Sequence, residues 1–125
     1  MSESASTGAT WRRNVLGERA EEIHDLVGTL DPSLPYLVND VLFGNVWSRG
    51  DLSQEERTLV VVGILAAGGH LQQLKNYLFG AIQAGIDPDK LRGALVTVAP
   101  YAGFPAAMSA LGTLKNVLDT TSRPA

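Results

Sequence analysis

The chain has 125 residues, 45% of them hydrophobic and 18% charged, with a formal net charge of −3. That length suits one domain with a core of useful size. No block of basic residues offers the footprint that nucleic-acid binding requires, so no nucleic-acid partner is expected. Cysteine is absent, which excludes disulfides, thiolate metal sites and thiol redox chemistry.

Residues 1–10, MSESASTGAT, are small and polar with no apolar h-region, so they do not read as a secretory signal. A tail without fixed structure is expected there, followed by one helical domain over residues 11–119 and a frayed tail over 120–125. Arg12 and Arg13 read as a solvated start to the fold. Val15, Leu16, Ala20, Ile23, Leu26, Val27 and Leu30 fall at helical spacing, weakened at Gly17, and Asp31-Pro32 and Pro35 close that segment. Leu37, Val38, Val41, Leu42 and Val46 form a second apolar stripe, and Gly50-Asp51 a turn. Ser53 and Glu56 form a capping box that opens a helix over about 54–67. That helix is apolar nearly all round after Thr58, as helices covered on several sides are. Gly68-Gly69 ends it. The next helix spans His70–Ala84, with Leu71, Leu74, Leu78 and Ile82 on one face and Gly85 just past its end.

Asp87 as cap and Pro88 at the first position restart the chain, with Leu91, Leu95, Val98 and Ala99 as core. Gly103 stops that helix, and Pro105 opens a last one lined by Leu111, Leu114, Val117 and Leu118. No alternating run survives, so the class is all-α, a compact domain of about six helices. Leu59–Ala67, the most apolar stretch, is too short to span a membrane, and a soluble cytoplasmic protein with no membrane partner is the expectation.

The residues with chemical potential gather in three places. His70, Gln73 and Tyr77 are spaced i, i+3, i+7 along one helix face, a polar stripe beside a leucine stripe, as a pocket wall needs. The alternative is a helix edge with Tyr77 as amphipathic core and His70 closing the Gly68-Gly69 bend. FGNVWSR contains Trp47 and Arg49. Arg49 could pair with a substrate carboxylate, or it could cap helical carbonyls while Trp47 anchors the helix end. Arg57, with Glu55 and Glu56 beside it, reads as a tie between helices. In YAGFPAA, Tyr101 could place its hydroxyl in a pocket or in a core hydrogen bond. No metal site is expected, because His24 and His70 have no partner at ligand spacing. Neither a nucleophile elbow nor a phosphate loop is present.

Taken in order, FGNVWSR, Arg57, the His70–Ala84 helix and YAGFPAA resemble the carboxymuconolactone decarboxylase family from roughly Arg13 to Leu118, with RRNVLGERAEE fitting loosely. That family typically carries E-L-x-x-H in the third of these; QLKNY here puts Tyr77 in the histidine's place. Thr58 and Gly93 stand where the family often has carboxylates. His70 and Gln73 occupy the two cysteine places of the related alkylhydroperoxidase D-like branch, so its peroxidase chemistry is not expected. A phenol, with a reference pKa near 10, donates a hydrogen bond where a histidine would exchange protons. The resemblance implies an enzyme with no cofactor that acts on a small carbonyl- or carboxylate-bearing substrate. Decarboxylation, isomerisation or cyclisation through an enol-like state would fit, on a specialised substrate of natural-product type. Tyr77 and His70 are its expected catalytic residues, with Arg49, Trp47, Gln73 and Tyr101 binding substrate. It also implies a homo-oligomer, a trimer or hexamer. The alternative is a non-catalytic or ligand-binding relative that keeps the scaffold.

Overall fold

A computed structural model describes residues 2–121, which contain helices and no strand. Six α-helices have eleven or more residues: α1 (Glu3–Leu16), α2 (Ala20–Leu30), α4 (Gln54–Ala67), α5 (Leu71–Gln83), α6 (Pro88–Ala102) and α7 (Phe104–Thr121). Between α2 and α4, a single turn, α3 (Leu34–Tyr36), runs on into a π-helical segment, Leu37–Trp47. The all-α expectation is met.

The chemistry read from the sequence accounts for most boundaries. Ser53 and Glu56 form the capping box of α4. Asp87 caps α6 by accepting from the Asp89 amide at 2.9 Å. Gly69, Gly85 and Gly103 all have positive φ where helices end, a conformation that costs a side-chain-bearing residue dearly.

The amino terminus departs from expectation. The segment expected as a tail is, from Glu3 on, the first two turns of α1, capped by the Ser2 hydroxyl accepting from the Ala5 amide at 3.1 Å. Its small residues serve close packing. A Cβ on Gly8 would fall 1.9 Å from the Asn39 carbonyl oxygen, and one on Gly44 would fall 2.6 Å from the Ser4 carbonyl oxygen. The two glycines thus let α1 and the π-helical segment touch backbone to backbone. Arg12 is likewise no solvated residue. It is 3% exposed, and its guanidinium donates to Asn39 Oδ1 at 3.0 Å, the Ala20 carbonyl at 3.1 Å and Glu21 at 3.2 Å. At the other end, α7 continues to Thr121, and the rest of the expected frayed tail, residues 122–125, lies outside the described residues.

The second apolar stripe is also rotated. Asn39, Phe43, Gly44 and Trp47 face inward, while Leu37, Val41 and Val46 are exposed. The i→i+5 winding of a π-helix carries more residues per turn than the 3.6 assumed in reading the stripe.

Two clusters of buried side chains result. The larger is built from α4–α7 and the turn before α6, around Val62, Leu74, Leu78, Leu91, Leu95 and Leu114. The smaller joins Val15, Leu16 and Ala20 to Phe43 and Trp47. Tyr77, on α5, packs against both.

Candidate functional site

The seam between the clusters holds a stack of three aromatic rings. Phe43 and Trp47, one turn apart, lie 5.8 Å between ring centres, and Trp47 and Tyr77 lie 6.1 Å apart with their planes at 16°. Trp47 is 1% exposed. It anchors the core and offers no surface to a ligand within one chain, which corrects the expectation that it binds substrate directly. Its effect on a site is to position the Tyr77 ring.

Tyr77 is half-buried. Burial pushes its phenol up to about 12, because the anion would lose its hydration. The neutral, hydrogen-bond-donating form therefore holds throughout the physiological range. Among the described residues the hydroxyl has no hydrogen-bond partner. It is also not among the fully enclosed unpaired polar atoms, so the oxygen keeps contact with accessible space. A fixed ring with an unused, protonated hydroxyl can donate to an incoming oxygen and cannot act as a base near neutral pH.

The other expected site residues do not gather around it in an enclosed cavity. His70 is exposed at the N-terminal end of α5. Its ring lies over Gly68, where a Cβ would fall 2.7 Å from Cδ2, and its amide closes the bend by donating to the Leu65 carbonyl at 2.9 Å. Gln73 is exposed, and Tyr101 is 89% exposed. Arg49 is exposed and bound to Asp51 at 2.6 Å. A substrate carboxylate that reached Arg49 would have to displace Asp51.

The same aspartate binds Arg57 at 2.6 Å. The Arg49 hydrogen bond, then that of Arg57, holds its carboxyl below the ordinary value of 3.8. Arg57 is 7% exposed and also donates to the carbonyls of Trp47 at 3.2 Å, Arg49 at 3.1 Å and Leu52 at 3.4 Å. The capping role considered for Arg49 therefore belongs to Arg57, which ties the end of the π-helical segment to α4. Thr58 is buried on the inward face of α4, and Gly93 lies exposed on α6.

Sequence reading did not foresee an open groove of about 510 Å³ between α4 and α6, lined by Leu59, Val60, Gly63, Ile64, Ala67, Ala94, Thr97, Val98, Tyr101 and Ala102. No charged side chain lines it, and the Thr97 hydroxyl is engaged with the Gly93 carbonyl at 2.8 Å. Its volume suits a small ligand, but it offers no cation to a carboxylate. The apolar character of α4 was the available signal. A second cleft of about 290 Å³, beside Arg19, Glu22, Gln72 and Asn76, is more polar. Among the described residues no cluster of three or more His, Asp or Glu could hold a metal.

Comparison with known proteins places this geometry. The chain is 28% identical over 115 residues to a 4-carboxymuconolactone decarboxylase of Acinetobacter baylyi, which covers 88% of this chain and 83% of the relative. It is 26% identical over 110 residues to the nitrosuccinic acid decarboxylase npaB of Metarhizium robertsii, covering 83% of this chain and 73% of the relative. Residues 32–116, from the loop after α2 to the middle of α7, match the carboxymuconolactone decarboxylase family. That stretch holds the aromatic seam, the Arg57 tie and the groove, and it is well over half of the sequence, so the chain belongs to the carboxymuconolactone decarboxylase family.

Proposed function

We propose that this protein is a decarboxylase-type enzyme that acts on a small carboxylic acid without a cofactor, with Tyr77 as its hydrogen-bond donor. The observation that carries the reading is the Tyr77 phenol, with its ring fixed on Trp47, its hydroxyl unengaged among the described residues and its proton held by burial. Both relatives are named for removing a carboxyl group from a small acid, which supports the reaction class.

In such a step the bond to the carboxylate carbon breaks and carbon dioxide leaves. The bond's electron pair moves into an adjacent acceptor group and places negative charge on that group's oxygen. Tyr77 donates to this oxygen as the charge develops, the way oxyanion-hole donors act. Protonation of the carbon completes the reaction, and His70, solvent-facing on the same helix, supplies that proton. Arg49 holds a second substrate carboxylate in exchange for Asp51. Gln73 and Tyr101, both exposed, would line the approach. Isomerisation or cyclisation would use the same donor on the same kind of enol-like state, and a specialised natural-product acid fits the departures at Tyr77, Thr58 and Gly93.

Carbon dioxide release from a panel of small β-oxo, lactone and nitro acids tests this. Turnover with at least one acid, cut about a hundredfold in Tyr77→Phe, is the expected result. A second reading, ligand binding without catalysis, is favoured by the spread of Arg49, His70 and Tyr101 over the surface of the single chain. No turnover across the panel, combined with a rise in melting temperature with one of the acids, would establish it in place of the first.

A further inference from the structure

Among the described residues every lysine and arginine is paired with a carboxylate, at 2.6–3.3 Å, except Arg19 and Lys75. The exception at Arg19 is not for want of acids. Glu18 and Glu22 lie within one helical turn of it in sequence, and neither pairs with it. Its half-buried guanidinium sits instead 4.2 Å from the centre of the Phe79 ring. The ring balances part of the charge but offers no oxygen to the five N–H donors of a guanidinium. Gln72, Lys75, Asn76 and Phe79 follow at i, i+3, i+4 and i+7, on one face of α5. Arg19 meets that face along its length. It shares a cleft of about 290 Å³ with Gln72 and Asn76, and a recess of about 40 Å³ with Lys75 and Phe79. The side-chain amides of Gln72 and Asn76 also have no hydrogen-bond partner among the described residues. Two unpaired cations and two unpaired amides therefore share one helix face.

We infer that this face is a binding site for a small oxyanion, a carboxylate or a phosphate. Arg19 supplies the paired N–H donors that both groups accept. Lys75 adds a second positive charge, and Gln72 and Asn76 donate from their amides. Contact with Phe79 holds the guanidinium in place, so less freedom is lost on binding. A carboxylate that reaches Arg49 must displace Asp51; one that reaches Arg19 displaces no side chain. The cleft has the size of a small molecule. Glu22 lines it too, so it accepts from a hydroxyl or ammonium of the same ligand and repels a second carboxylate beside it. The site is separate from the phenol. Tyr77 lies two residues from both Lys75 and Phe79, about 200° round α5. The inference therefore does not rest on the proposed reaction.

Titration of the full chain with succinate and, separately, with inorganic phosphate tests it, each up to about 50 mM at constant ionic strength and followed by NMR. At least one of the two anions is expected to give saturable shifts of the Arg19 Nε–H and of the Gln72 and Asn76 side-chain amides. The tighter of the two tells whether carboxylate or phosphate is the group recognised. Arg19→Gln and Lys75→Gln should each raise the Kd about tenfold. Lys75 is exposed and unpaired, so its variant stays informative if Arg19→Gln disturbs the packing on Phe79. Lys115→Gln removes the same charge from an exposed position on α7 and should leave the Kd unchanged. No saturable shift with either anion overturns the inference. So does an unchanged Kd in both Arg19→Gln and Lys75→Gln, or an equal loss in Lys115→Gln, which would reduce the effect to net charge. Shifts confined to the surroundings of Arg49 and Tyr77 would also overturn it, by moving the oxyanion to the other site.

Discussion

The two halves of this molecule solve the same packing problem in opposite ways. Around α1 and the π-helical segment, backbones approach through Gly8 and Gly44, and the two buried arginines are matched: Arg12 with Asn39, Ala20 and Glu21, and Arg57 with three carbonyls and Asp51. Around α4–α7 the interior is almost wholly leucine, valine and alanine, and the apolar character continues onto the outer face of α4 and α6. The first half meets its buried arginines with carbonyl and carboxylate groups, whereas the second is held by apolar contact, and both leave large apolar side chains in water: Leu26, Leu30 and Tyr36 in the first, Ile64, Tyr101 and Phe104 in the second. The family match begins at residue 32 and leaves α1 and α2 outside it. The π-helical segment, with Asn39 and Gly44, and the apolar half both lie within the matched stretch.

The contrast can be broken most severely at Gly80, where α1 crosses α5. A Cβ there would fall 1.9 Å from the Val15 carbonyl oxygen and 2.8 Å from the Leu16 Cα. Neither atom can move without shifting α1, so Gly80→Val should cost about 3 kcal/mol, read as a lower urea midpoint. Next is the polar tie. Arg57→Met keeps the aliphatic stem but removes the donor to the Trp47, Arg49 and Leu52 carbonyls, which should cost about 1–3 kcal/mol in the same measurement. A loss in Arg57→Met below a few tenths would mean that water replaces the guanidinium without penalty.

Gly112 sharpens the comparison from the other side. It is exposed in the middle of α7, and a Cβ there would meet nothing within 4 Å. Gly112→Ala should therefore raise stability by about 1 kcal/mol, opposite in sign to Gly80→Val. The smallest effect is electrostatic. The folded pKa of Asp51 lies below its ordinary 3.8, through the hydrogen bonds from Arg49 and then Arg57. A depressed carboxyl stabilises the fold fully above pH 3.8, and that contribution disappears as pH falls through the folded value. Unfolding midpoints at pH 7 and pH 3 should thus differ less in Asp51→Asn than in the wild type, by an amount that salt reduces.

What could be read in advance follows the same division. Capping residues act locally, so Ser53–Glu56, Asp87-Pro88 and Gly103 announced their helices, and the leucines of α5 and α6 announced the larger core. The amino-terminal half was hidden because its signals are not local. MSESASTGAT has the composition of a tail, and only the Asn39 backbone 31 positions beyond Gly8 makes that glycine a packing residue. The segment Leu37–Trp47 is π-helical, so a stripe read at 3.6 residues per turn chose Leu37 and Val41 over Asn39 and Phe43. For the site, the helix bearing Tyr77 and its partial burial were legible from spacing. The stack on Trp47 and the dispersal of Arg49, His70 and Tyr101 depend on packing between segments that periodicity does not relate.

The account rests on Tyr77 as a fixed, neutral donor at the seam between the two halves. The most direct test is kcat for Tyr77→Phe beside the wild type on whichever acid is turned over, with melting temperature measured on the same samples. The phenylalanine ring keeps the stack on Trp47, so the melting temperature should stay within a few degrees. Losing one donor to a developing oxyanion should lower kcat about a hundredfold or more. Wild-type kcat in Tyr77→Phe would contradict the account and remove this hydroxyl from the chemistry.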